Sequence, residues 1–93
     1  MKYEVEFLTT ALKEWKALDA NTREQFRKKL KERRNQPRVP SAKLHGAHDR
    51  YKIKLRSAGY RLVYEVQDQR VVIIVIAVGK RDRLAVYRAA ARR

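Results

Sequence analysis

No cysteine occurs in this chain of 93 residues, and it has only three glycines and two prolines. Without cysteine neither a disulfide nor a thiolate metal site can form, which is compatible with a reducing compartment. The glycines, at positions 46, 59 and 79, are too scattered to cradle a nucleotide phosphate. The longest apolar run, Val71 to Val78, is far too short to span a bilayer. The amino-terminal stretch alternates charged and apolar residues, whereas a secretory signal needs a continuous apolar segment. Acidic residues are scarce as well. Ten Asp and Glu stand against 24 Lys and Arg, for a formal net charge of +14. Net charge bears on partners rather than fold, and this excess points to a polyanion, nucleic acid first. A generic basic surface is the plainer alternative. The expectation is one cytoplasmic domain over residues 1–93 with no membrane association, folding with burial of about 60–65% of its unfolded surface.

What is present reads as alternating patterns. Lys2 to Leu8 has Tyr3, Val5 and Phe7 on one side, as a half-buried strand does. Thr9 or Thr10 is placed to cap a helix carrying Ala11, Leu12, Trp15 and Leu18. Asp19-Ala20 breaks that pattern. Asn21-Thr22-Arg23-Glu24 has capping-box form for a second helix, which shows a narrow Phe26–Leu30 stripe and stops before Pro37. Pro37 to Asp49 is irregular and long for so small a domain, and such loops are often functional. Two alternating runs hinged on Ser57-Ala58-Gly59 follow, then a polar turn at Gln67-Asp68-Gln69. Val71 to Val78 is apolar throughout, as in a central strand covered on both faces, and Gly79 is expected to end it. Asp82 can cap a last helix with Leu84, Tyr87 and Ala91 on its packed side. The order β-α-α-β-β-β-α predicts an α+β fold: a small, mainly antiparallel four-stranded sheet, two N-terminal helices packed on one face, and a short C-terminal helix. Part of the other face is then open to a ligand.

Charge concentrates in the hairpin from Arg50 to Tyr64. Strand side chains alternate between faces, so Tyr51, Ile53 and Leu55 share one side while Arg50, Lys52, Lys54 and Arg56 share the other. Closing the turn through Ala58-Gly59, or through Ser57 to Tyr60, pairs Arg56 with Arg61, Lys54 with Val63 and Lys52 with Glu65. Five cations then share a face with one nearby carboxylate, Glu65. Opposed like charges are destabilising, so the face is shaped for an anion, phosphate foremost. A solvated outer face is the structural alternative.

Other chemistries find little support. His45, His48 and Asp49 make a weak metal signal on a loop. No Ser-His-Asp or Cys-His arrangement is visible, and Glu65 and His48 have no placeable partner for general acid–base work. A cationic site remains. RNA cleaves itself by attack of its 2′-OH on the adjacent phosphate when the nucleotide is held in line and the charge is offset. Lys54 lies in a cationic field that disfavours its protonated form and suits a base. Arg61 offers a fork matched to phosphate oxygens. Arg81 follows the central strand, and Tyr87 on the last helix suits either core packing or base stacking.

Tyr51-Lys52-Ile53-Lys54-Leu55-Arg56-Ser57, Gly59 to Tyr64, and Val78-Gly79-Lys80-Arg81 with Tyr87 beyond resemble the RelE family of bacterial toxins. Ala11-Leu12-Lys13-Glu14-Trp15 and Arg23-Glu24-Gln25 do so too, and the resemblance covers nearly the whole chain. It implies a ribosome-dependent, metal-independent mRNA endonuclease without cofactor, neutralised by a RelB-like antitoxin through which the complex binds operator DNA. Cleavage in the ribosomal A site would leave a 2′,3′-cyclic phosphate and a 5′-hydroxyl. The family's active-site positions fall on Lys52, Lys54, Arg61, Arg81 and Tyr87. By the resemblance Lys54 is the base, Lys52 and Arg61 steady the transition state, Arg81 assists the leaving oxygen, and Tyr87 orients or stacks on a base. Further RNA contacts are expected at Arg50, Arg56, His45, Lys28, Lys31 and Arg34. His45 stands where the family has arginine, and Ala47 and His48 also depart from it. A gyrase-poisoning toxin of the ParE type and a non-catalytic RNA-binding module are the rival readings.

Overall fold

The computed structural model describes residues 2–80 and 85–93. Strand β1 (Glu4–Phe7) leads into helices α1 (Thr9–Lys16) and α2 (Ala20–Asn35). Strands β2 (Arg50–Leu55), β3 (Tyr60–Gln67) and β4 (Val72–Lys80) follow, and helix α3 (Ala85–Arg92) packs last. The sheet order is β1-β4-β3-β2. Its β2–β3 and β3–β4 pairs are antiparallel, and β1 joins β4 in parallel. The sheet is therefore mixed, because the α1–α2 excursion returns β1's neighbour from the far end of the chain. The α+β architecture expected from the sequence is the observed one.

One face of the sheet, with Tyr51, Ile53, Leu62, Tyr64, Ile73 and Val75, packs against Ala11, Trp15, Phe26 and Leu30 of the helical hairpin. Apart from Ala11 these are large side chains, and Tyr64 and Phe26 are fully enclosed. The other face carries a second cluster, in which Val63, Ile74, Ile76 and Ala77 meet Val86 and Ala90 of α3. The expected open face is thus partly closed by α3.

Several local expectations give way to tertiary constraints. Helix α1 starts at Thr9 itself, and its cap residue Leu8 supplies no side-chain bond. Helix α2 is capped by Asp19, whose carboxylate accepts from the Thr22 amide at 3.4 Å and from the Thr22 hydroxyl. An N-cap at this earlier position satisfies the same orphan amides as an Asn21 capping box would. The stretch from Pro37 to Asp49 holds a short 3-10 turn at Pro40–Ala42 and a bridge from Lys43 to Tyr51. Strand β4 continues through Gly79 to Lys80. At Gly79 a Cβ would lie 3.1 Å from Val86 Cγ2, so the glycine admits α3 close to the sheet rather than stopping the strand. On α3 the buried pair is Val86 and Ala90, with Ala91 exposed. Asp82 and Leu84, expected to cap and pack this helix, lie outside the described residues.

A bulge in β4 completes the frame. Val63 pairs with Ala77 and Tyr64 with Val75, leaving Ile76 as the extra residue. Alternation resets at such a bulge, and Ile76 and Ala77 both join the α3 cluster.

Candidate active site

The hairpin closes with Leu55 opposite Tyr60, two residues from the expected register. Lys54 therefore faces Arg61, Lys52 faces Val63, and Arg50 faces Glu65. A two-residue shift preserves which face each side chain occupies, so Lys52, Lys54 and Arg61 still share one side of the sheet. The turn is Arg56 to Gly59. Gly59, at φ +71°, returns its amide to the Leu55 carbonyl at 2.8 Å, a backbone shape that glycine adopts without a Cβ penalty. Arg56 lies in this turn, exposed and beyond the strand.

Arg61 is the centre of the arrangement. It is 6% exposed, flanked by Lys54 on β2 and Gly79 on β4. Its Nη1 donates to the Tyr60 carbonyl at 2.9 Å, and among the described residues no carboxylate pairs with it. A buried guanidinium stays charged, and burial of an uncompensated charge is costly. An anion above Gly79 and Lys54 would relieve that cost. Lys54 is exposed and Lys52 is half-buried. Both sit on the edge strand of the sheet, beside the ground that α3 covers.

Lys52 is also held from behind. Arg33 of α2 donates to the Lys52 carbonyl at 3.2 Å and to the Tyr64 hydroxyl at 2.8 Å, and that hydroxyl donates to the Pro37 carbonyl at 2.6 Å. Burial, partly offset by Arg33, pushes the Tyr64 phenol above its ordinary range.

Arg50 does not stand free for RNA. Its Nε donates to Glu65 at 3.0 Å and its Nη1 to the Ala90 carbonyl at 2.6 Å. It thereby ties β2 and β3 to the end of α3. Glu65 also accepts from Gln67 at 2.9 Å. The carboxylate expected on the cationic face is thus occupied at the end away from Arg61.

Beside this tie opens a cavity of about 530 Å³, bordered by His45, His48, Arg50, Glu65, Tyr87 and Ala90 among others. The Tyr87 ring is half-buried against the α3 cluster, and its buried hydroxyl has no hydrogen-bond partner among the described residues. The structure thus brings Lys52, Lys54, Arg61 and Tyr87 to one face, with His45 at the cavity beside Tyr87. Arg81 lies outside the described residues. Lys28, Lys31 and Arg34 are on α2, across the sheet from the site. Lys28 and Lys31 are exposed there, while Arg34 donates to the Tyr3 carbonyl at 2.7 Å and pairs with Glu4 at 3.5 Å.

Three features escaped sequence reasoning: the Arg33 support, the Arg50–Ala90 tie, and a clasp between Glu14 and Arg93. All join residues far apart in the chain, and only the Lys/Arg excess hinted at them. Among the described residues no three His, Cys, Asp or Glu side chains gather into a possible metal site. What the site can do chemically is hold a phosphate on Arg61, place an amine beside it at Lys54, and present an aromatic ring to a base.

Known proteins sharpen this picture. The family described as ParE toxin of type II toxin–antitoxin system, parDE, matches residues 5–85. The mRNA interferase toxin RelE of Escherichia coli K12 is 54% identical over 93 residues, covering all of this chain and 98% of that protein. A free-state mutant of E. coli toxin RelE superposes with a TM-score of 0.91 at 51% identity, over 99% of this chain and 97% of that one. The matching chain of the intact E. coli RelBE toxin–antitoxin complex gives a TM-score of 0.83 and 54% identity, over 87% and 99% of the two chains.

Proposed function

The chain belongs to the RelE toxins within the ParE family, and from that premise we propose that it is a ribosome-dependent mRNA interferase. The observation that carries the reading is Arg61, a buried guanidinium opposite Lys54 with no carboxylate partner among the described residues. In the proposed reaction the RNA 2′-OH attacks the adjacent phosphorus and the 5′-oxygen departs. The products are a 2′,3′-cyclic phosphate and a 5′-hydroxyl. Lys54 accepts the 2′-OH proton, Arg61 holds the non-bridging oxygens with Lys52 beside it, and Arg81 offsets charge on the leaving 5′-oxygen, which takes up a proton from water. Tyr87 stacks on or orients a base. Electrostatic stabilisation and alignment supply the rate, with no conventional His or Glu pair. No metal or cofactor enters the scheme.

Cations on both sides of the sheet support a partner that surrounds the molecule. Lys28 and Lys31 sit on the helical face, and His45, Lys52 and Lys54 on the other. At 31 × 27 × 26 Å the molecule has the size of an insert into an RNA-walled cleft, and the ribosomal A site has that form. Arg34 and Arg56 would add phosphate contacts at the periphery, while Arg50 would act through its tie to α3. A RelB-like antitoxin would neutralise the toxin and carry it to operator DNA, all in the cytoplasm. No described helix is long and apolar enough to cross a membrane.

Expression of the chain followed by mapping of mRNA 5′ ends tests the reading. Cuts inside translated codons are expected, with free RNA cut poorly because the ribosome imposes the in-line geometry. Intact messages with broken DNA would overturn it in favour of the rival gyrase-poisoning activity.

A further inference from the structure

Strand β4 is longer than its parallel neighbour. The ladder with β1 ends at Phe7–Val75, and Leu8 donates one more bond, to the Val75 carbonyl at 3.0 Å. Just beyond lies the bulge at Ile76, where the edge of β4 has no strand to pair with among the described residues. Side chains close it instead. Glu14 of α1 accepts the Val78 amide at 3.1 Å, and Arg93 Nη1 donates to the Ile76 carbonyl at 2.9 Å. The two side chains meet as a fork, with Arg93 Nη1 and Nη2 donating to Glu14 Oε1 and Oε2 at 2.9 and 3.1 Å. A bidentate arginine–carboxylate pair is geometrically exacting. This pair is also partly shielded, with side chains 22% and 33% exposed.

Helix α3 needs such a clasp. Its eight residues, AVYRAAAR, bury only Val86 and Ala90, and a helix that short is not stable alone. It carries Tyr87, whose buried hydroxyl has no partner among the described residues. The ring is therefore oriented by the seating of α3, not by a hydrogen bond of its own. Arg93 follows the helix directly, and its amide bonds the same Ala90 carbonyl, at 3.0 Å, that Arg50 grips from β2.

We infer that Glu14 and Arg93 are positioning residues for RNA cleavage, closing the β4 edge at its bulge so that α3 holds Tyr87 against the substrate. The inference rests on the nuclease reading for its substrate, and on geometry alone for its mechanical part.

The test uses the purified full chain with two readouts: single-turnover cleavage of mRNA on programmed ribosomes, and the ring signal of Tyr87 in carbon-13-tyrosine protein. Arg93→Ala should shift the Tyr87 signal and slow cleavage about tenfold, less than the roughly hundredfold a 1 Å misplacement of the reacting geometry can cost. The ribosome concentration giving half-maximal rate should stay unchanged, since binding surfaces are intact. Arg93→Lys keeps the charge without the fork and should fall between. In a Tyr87→Ala background, Arg93→Ala should add no further loss. Losses that multiply in the double variant, or an unmoved Tyr87 signal, would overturn the inference. If the wild-type chain leaves mRNA intact, the nuclease reading fails by itself. The ring signal then decides alone, and the positioning role stands only if Arg93→Ala moves it while Arg88→Ala, an exposed change on the same helix, does not.

Discussion

The two faces of the sheet are held by different physics. On the helical-hairpin face, large apolar side chains interlock: Trp15 lies between Phe7 and Phe26 with ring centroids 5.2 and 6.2 Å away, and Tyr51 stacks on Tyr64 at 5.8 Å. On the α3 face the helix itself contributes only small buried side chains, Val86 and Ala90, and arginine bridges to carbonyls and carboxylates add to its seating. The first face has the area to supply most of the stability. The second has fewer large contacts, and it carries the hairpin cations Lys52, Lys54 and Arg61. A cationic strip opposes folding through self-repulsion, so it fits a molecule whose other face supplies the excess.

Paired substitutions would break that comparison most sharply. Phe26→Ala should cost about 3–5 kcal/mol by opening a cavity in the hairpin face, read from urea denaturation, and should abolish activity through unfolding. Arg61→Ala should leave the denaturation midpoint unchanged or raise it, because it removes a buried charge that no carboxylate among the described residues offsets. It should reduce cleavage on programmed ribosomes by about 10²–10³-fold, the usual loss for one oxyanion donor. Comparable stability losses in the two variants would mean that the faces are not divided in this way.

Acid should act next, through the carboxylates that arginines hold. Arg38 bonds Asp49 at 2.7 Å and Asp68 at 3.0 Å. The Asp49 carboxyl is held below its ordinary range first by the Arg38 hydrogen bonds, and the Asp68 carboxyl by Arg38 and then by the Tyr3 hydroxyl. At Glu14 partial burial pushes the carboxyl up, but Arg93 and the Val78 amide outweigh it and leave it low. Folded values below the unfolded ones mean that this stability is fully present above about pH 4–4.5, the ordinary carboxylate range, and is lost as pH falls through the folded values. Stability should therefore decline as pH falls below about 4–4.5, and amide-exchange protection in α3 should fail before that of Ile73 or Phe26. Simultaneous loss would show that the clasp does not govern α3.

The smallest expected effect lies outside both faces. Val71 holds φ +52° in the turn between β3 and β4, a left-handed conformation costly for a β-branched residue. Val71→Gly should raise stability by up to about 1 kcal/mol without changing cleavage. A destabilised variant would show that the Val71 side chain contributes more packing than its backbone costs.

Much of the site was legible because alternation is a local property. Tyr51, Ile53 and Leu55 face inward and Lys52 and Lys54 outward whatever the turn does. The register was not legible, since a two-residue shift leaves every side chain on the same face. In the structure Leu55 lies opposite Tyr60, which only the tertiary fold shows. The partners of Arg50 were hidden for a related reason. Its residue type and strand position mark it as a cation on the RNA face, while its partners, Glu65 and Ala90, arrive from β3 and α3. Likewise Gly79 reads as a terminator until Val86 is seen to press upon it.

By itself the amino-acid sequence determined the element order, the two-sided character of the central strand and the shared face of Lys52, Lys54 and Arg61. Each follows from side-chain periodicity or chain-local turn chemistry. Tertiary structure alone decided that Lys54 lies opposite Arg61, that α3 covers the neighbouring ground, and that Glu14 and Arg93 close the β4 edge. Those outcomes depend on contacts between residues far apart in the chain, where packing and hydrogen-bond satisfaction choose among arrangements that local pattern leaves equal.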